Sequence, residues 1–170
     1  EKSKEFIYDI QQKSRNMVIA MNDVLWSIDP ANDSMPKTIE RIHEVAHAMR
    51  SRHGATVLVN IEKNVSELNF NMKFRHEFII IYKLAIVSLV ELSHAKLTRI
   101  NLDFEKGLLL LSLNAPGTNM DRKDHVLNKN IAEMEARART ISALLTIKDD
   151  NSGSTITLKV RIEKNGSKKI

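Results

Sequence analysis

The 170 residues include no cysteine. That absence excludes a disulfide scaffold and any cysteine-ligated zinc site, and it fits a reducing compartment. Aromatic residues are only 5% of the chain and do not interleave with basic ones, so a stacking platform for single-stranded nucleic acid is excluded. No stretch of about 18 apolar residues exists, the length a membrane-crossing helix needs. The longest apolar run, Phe78 to Val90, is broken by Lys83 and Ser88. No secretory signal peptide is visible. The first residue is Glu1 rather than Met, as expected of a piece of a longer protein.

What is present suits one compact domain with an accessory helix. Apolar residues reach 42%, enough for a real core and too many for a disordered chain. The formal charge is +5, and much of it sits near the C-terminus in Lys159, Arg161, Lys164, Lys168 and Lys169. Without aromatic partners this charge reads as solvated surface, and no nucleic-acid partner is expected.

Residues 2 to 28 read as a helix. Ile7, Ile10, Ser14, Met17, Met21, Val24 and Ile28 step by three and four, a heptad seam suited to pairing with another chain. The simpler alternative is an amphipathic helix lying on its own domain. Asp29-Pro30 ends the helix. Ser34 can cap a second helix with Pro36 in its first turn, and Gly54 can stop it. Ala55 to Ile61 reads as a strand, 64 to 71 as a loop, and Phe74 to about His94 as a long, largely buried helix. Leu97 to Phe104 and Leu108 to Leu113 form a hairpin through Lys106-Gly107. Residues 114 to 126 read as a loop, Asn128 to Ile141 as a helix, and Leu144 to Ile147 with Thr155 to Ile162 as a second hairpin. The tail, 165 to 170, is polar and expected to fray. Hairpin strands beside segregated helices predict an α+β two-layer sandwich.

Met21-Asn22-Asp23-Val24-Leu25-Trp26-Ser27-Ile28-Asp29-Pro30-Ala31-Asn32-Asp33 resembles a stretch that follows the second dimerisation helix in bacterial two-component sensor histidine kinases. Ile81-Tyr82-Lys83 and Ser93-His94-Ala95 resemble the flanks of that family's Asn-bearing box. Met134, Arg137 and Ala138 resemble the end of its second glycine box. The resemblance implies a second dimerisation helix over 1–30 and, over 31–164, an ATPase domain of the histidine-kinase and gyrase type. It implies ATP with Mg²⁺ as cofactors, a second copy and a response regulator as partners, and a cytoplasmic place in an inner-membrane sensor. The family's phospho-accepting histidine lies on the first dimerisation helix; the resemblance puts the start of this chain beyond it, and none of its six histidines has that context.

The family reaction, γ-phosphoryl transfer to histidine, is mostly positioning and neutralisation of phosphate charge. It needs an asparagine to hold Mg²⁺, a glutamate one helical turn earlier as base, an aspartate for adenine, and glycines beside the phosphates. Here the first set of flanks puts Leu84 and Ser88 at the glutamate and asparagine, and the second puts Ile86 and Val90 there. Neither register supplies the pair. The aspartate box falls on Asn114-Ala115-Pro116-Gly117-Thr118, with Asn114 facing adenine and Gly117 left as a glycine. The second glycine box falls on Asn128-Lys129-Asn130, and the last box on Ser154-Thr155, with Thr155 as its threonine. Four altered motifs predict weak or absent Mg-ATP binding. The alternatives are a divergent kinase that binds nucleotide weakly and a non-enzymatic pseudokinase module for dimerisation or signalling.

His43-Glu44-Val45-Ala46-His47 also spells the His-Glu-x-x-His zinc motif, with His53 at the spacing of a third ligand. A zinc hydrolase would use Glu44 as base. Arg50 stands where the extended motif turns on glycine, and both histidines flank the apolar face of Ile39, Ile42, Ala46 and Met49. They are therefore expected to be ordinary helix histidines, with no metal site.

Overall fold

A computed structural model describes residues 2–162; the polar tail, with Lys164, Lys168 and Lys169, lies outside them. Helix α1 runs Lys2–Ile28. A short 3-10 turn, Pro30–Asn32, joins it to α2, Met35–His53. Ser34 caps α2 through the Lys37 N–H, and Gly54 ends it at φ +62°, where a left-handed residue lets the chain turn away. Strand β1 is Thr56–Ile61 and leads through a second 3-10 turn, Lys63–Glu67, to α3, Met72–Val87. The Asn71 side chain caps α3. The helix does not continue to His94 as an α-helix: a π turn, Ser88–Leu92, completes it.

Strands β2, Leu97–Glu105, and β3, Leu108–Pro116, form the first hairpin. Lys106 and Gly107 both have positive φ (51° and 79°), the geometry that a tight two-residue hairpin demands. Strand β3 is longer than its apolar run suggests and takes in Asn114, Ala115 and Pro116. Helix α4, His125–Thr140, starts three residues earlier than the sequence suggests, because the Asp124 carboxylate accepts from the Leu127 N–H and caps it there. Strands β4, Leu144–Asp150, and β5, Gly153–Arg161, close the second hairpin around Asn151 and Ser152.

The five strands lie in the order β1-β2-β3-β5-β4, with β1 parallel to β2 and every other pair antiparallel. One face is apolar: Ile100 and Leu102 on β2, Leu109, Leu111 and Leu113 on β3, and Ile156, Leu158 and Val160 on β5 are all buried. Phe78, Tyr82 and Ile86 of α3 and Ile42 and Met49 of α2 close that core. The other face carries Arg99, Asn101, Ser112, Thr157 and Lys159, as period-two alternation requires. The molecule is an α+β two-layer sandwich, helices on one side of a mixed sheet.

Candidate functional site

The candidate nucleotide cleft is the end of the sandwich where β3 stops, β5 starts and α4 begins. Strand alternation decides which side chains face it. Leu109, Leu111 and Leu113 point to the helices, so the next residue on that face is Ala115, which is fully buried. Asn114 points the other way. Its amide donates to the Thr155 hydroxyl at 2.9 Å, and the two residues are direct partners across β3 and β5. The helix-facing neighbour of Thr155 is Ser154, also fully buried. Both expectations thus shift by one position: Asn114 and Thr155 bond each other on the open face, while Ala115 and Ser154 face the helices.

Gly117 adopts φ +67° and donates its N–H to the Ser152 carbonyl at 2.9 Å. This seals the end of β3 to the turn of the second hairpin. A Cβ on Gly153 would stand 2.2 Å from the Ala115 carbonyl oxygen, so only glycine permits that closeness. Asn128 and Asn130 do not lie in a glycine-like loop. They belong to α4, and neither has positive φ. The Asn128 amide donates to the Arg122 carbonyl at 2.7 Å.

The loop from Gly117 to Asp124 is fastened by one carboxylate. Asp149 accepts from the Ser154 hydroxyl, from Arg122 (2.7 Å) and from the Met120 N–H (3.4 Å). Burial alone would raise the Asp149 pKa; these donors outweigh it and hold the carboxyl below its ordinary 3.8. The loop's Met120 is only 5% exposed and belongs to the core. At the positive end of α4, where an anion would be drawn, the Asp124 carboxylate already occupies the cap.

Ser88 opens the π turn. It is fully buried and its hydroxyl has no partner. One turn earlier stands Leu84, packed against the core. A hard cation needs several oxygen ligands, usually carboxylates. Among the described residues no three His, Cys, Asp or Glu come together as a metal site. None of Leu84, Ile86, Val90 and Ala115 carries a group that could take a proton or ligate a cation, and Ser88 offers a single buried hydroxyl.

The zinc motif does not assemble among the described residues. His43 and His47 are exposed on α2, Glu44 pairs with Arg41 at 2.8 Å, and His53 faces Glu91 at 3.6 Å. A cleft of about 1170 Å³ lies at the opposite end of the sheet, beside Phe70, Phe104 and Lys106. Two of its polar residues are already engaged: Asn64 donates to the Phe104 carbonyl at 2.6 Å, and Asp33 pairs with Arg75.

The stretch from Asp23 to Asp33 has a definite structural task. Asp23 meets Arg41 of α2 at 2.9 Å and Lys83 of α3 at 2.5 Å. The Arg41 guanidinium sits 5.8 Å from the centre of the Trp26 ring. The Ser27 hydroxyl donates to the Asp23 carbonyl at 2.8 Å, which leaves its oxygen to accept from His76 Nδ1 at 2.9 Å. Arg75 donates to the Ser27 carbonyl and to Asp33. The Asn32 amide donates to the Trp26 carbonyl. The seam residues Ile7, Ile10, Met17, Met21 and Val24, by contrast, are all exposed.

No protein-family model matches the sequence, nor does any curated protein. Solved structures do match. The histidine kinase AdeS of Acinetobacter baumannii superposes with a TM-score of 0.65 at 12% identity, over 95% of this chain and 84% of that one. The histidine kinase domain of the EL346 blue-light activated kinase of Erythrobacter litoralis superposes at 0.58 and 9% identity, over 71% of this chain and 59% of that one. Full-length ShkA, solved in complex with AMPPNP, superposes at 0.65 and 9%, over 98% of this chain and 40% of that one. The fold is therefore that of the histidine-kinase catalytic domain of the ATPase type. This chain spans little more than half of the EL346 kinase domain and less than half of ShkA.

Proposed function

We propose that this chain is the ATPase-fold end of a two-component sensor histidine kinase in which Mg-ATP binding is weakened or lost, leaving a dimerising, signalling pseudokinase module. The observation that carries this reading is the cleft itself. Ala115 and Leu84 supply no polar group there, and the loop from Gly117 to Asp124 is fastened to Asp149. The altered motifs at Ser88, Asn128 and Asn130 support the same reading.

The proposed partners are a second copy, engaged through Ile7, Ile10, Met17, Met21 and Val24, and a response regulator. The exposed seam supports the first, because an apolar helical stripe left in water is covered when two copies meet. The regulator, and a place on the cytoplasmic side of an inner-membrane sensor, rest on the resemblance. No described helix is long and apolar enough to cross a membrane.

Calorimetric titration with ATP, with and without Mg²⁺, tests the central claim. No heat at millimolar ATP, a binding free energy of about 4 kcal/mol or less, is the expected result. Micromolar affinity that depends on Mg²⁺ would overturn it and return the chain to the active kinases.

A further inference from the structure

We infer that the joint between α1 and the ATPase-fold body is a rigid clasp, so that a rotation of α1 is delivered to the body as the same rotation. The inference rests on the joint's own contacts and stands whether or not nucleotide binds.

A hinge needs residues free to change φ and ψ and few contacts across them. The connector here has neither. Asp23 is held from two directions by side chains of two different helices, Arg41 on α2 and Lys83 on α3. Ser27 is 2% exposed and Arg75 is 3% exposed, so water does not compete for their bonds. Asp29 caps the turn through the Ala31 N–H, and Pro30 fixes its own φ within it. Asp33, beyond the turn, returns to the same Arg75 that holds Ser27 before it. The chain is pinned on both sides of the turn by one buried guanidinium.

The clasp also fixes direction. Asp23, Trp26 and Ser27 form the stripe of α1 that meets the body, whereas Met17, Met21, Val24 and Ile28 form the exposed stripe. At 3.6 residues per turn the two stripes lie about 140° apart around the helix. In a pair of chains joined along the seam, each body therefore hangs on the outer side of its own helix, at a set angle.

The experiment uses two spin labels in the cysteine-free chain, introduced by Gln11→Cys on α1 and Lys159→Cys on the sheet. Gln11 lies twelve residues from Asp23, a lever arm of about 18 Å. Labelled chain is diluted in unlabelled chain so that pulsed electron resonance reads the distance within one copy. A single narrow distance distribution is expected in the parent, broadened about twofold or more, as a hinge would give, by Asp23→Ala combined with Asp33→Asn. A broad distribution in the parent, or a narrow one that the double variant leaves unchanged, would overturn the clasp. If circular dichroism shows the double variant unfolded, Lys83→Met, which removes one cation and keeps the apolar stem, replaces it under the same criterion.

Discussion

Arg75 and Ser88 stand on the same helical run, both polar and both almost wholly out of water, at 3% and 0% exposure. Arg75, at the α1 joint, places its two terminal nitrogens on Asp33 and on the Ser27 carbonyl, while its Nε, like that of Arg41, is buried without a partner. Ser88, at the cleft, offers a hydroxyl that nothing meets. The contrast extends to the neighbours. Around the joint, Asp23, Ser27, Asn32 and Asp33 are all engaged. Around the cleft, Ala115 and Leu84 are apolar, and the polar Ser154, Asp149 and Arg122 fasten the loop. One end of the body is tied across α1, α2 and α3 by charged and polar contacts; at the other, the polar contacts tie a loop to the β4–β5 hairpin.

Removing Arg75 breaks the comparison most sharply. Arg75→Ala strips two charge-assisted bonds from a buried setting and frees both ends of the connector. Asp33 is half exposed and can return to water, which limits the loss. We expect a destabilisation of about 2–3 kcal/mol in urea melts, at the low end of what breaking a buried ion pair costs. A loss under about 0.5 kcal/mol, the level of an ordinary surface substitution, would mean that the joint contributes no more than any exposed contact.

The fastening of the loop to Asp149 is expected to be weaker and pH-dependent. The Asp149 carboxyl titrates below its ordinary 3.8 in the folded chain, so folding favours its ionised form. That stabilisation is complete above the ordinary value and is lost as pH falls through the lowered folded value. Asp149→Asn should therefore lower the melting temperature at neutral pH and remove this part of the acid sensitivity, so that the two melting curves converge as the pH drops below 3.8. Arg122 is partly exposed, so the neutral-pH effect should be about 1 kcal/mol or less. A constant gap between the two proteins down to the lowest pH would place the effect of Asp149 in its shape rather than its charge.

Local signals made much of the fold legible in the sequence. The Ser34 cap, the Gly54 stop and the Lys106-Gly107 hairpin each depend on one or two residues and stand where the sequence puts them. Asn114 to Gly117 looked like a loop because asparagine, proline and glycine favour turns. Pro116 instead ends the strand opposite Gly153, where a missing N–H costs little. The start of α4 is less legible, because Asp124 stands in a polar stretch and its cap on the Leu127 N–H shows only in three dimensions. The register of the cleft was present in the alternation of Leu109, Leu111 and Leu113, which extends to Ala115. What no local pattern could show was the set of partners. Asp149 joins Met120, Arg122 and Ser154, and Asp23 joins Arg41 and Lys83, by contacts between segments far apart in the chain.

The smallest effect is the most informative about the cleft. A buried hydroxyl with no partner loses its hydration without compensation, so Ser88→Ala should be neutral or slightly stabilising, within about 1 kcal/mol of the parent. The methyl group that remains fills most of the same space, so no large cavity offsets the gain. If Ser88 had kept a ligand-holding task, the same change would leave stability alone but abolish whatever nucleotide heat the parent shows. If a hidden water or side chain satisfies the hydroxyl, the change should cost about 1 kcal/mol or more instead. Urea melts and the ATP titration on this one variant separate the three cases, and a neutral melt with no change in heat is the result that the unpartnered hydroxyl predicts.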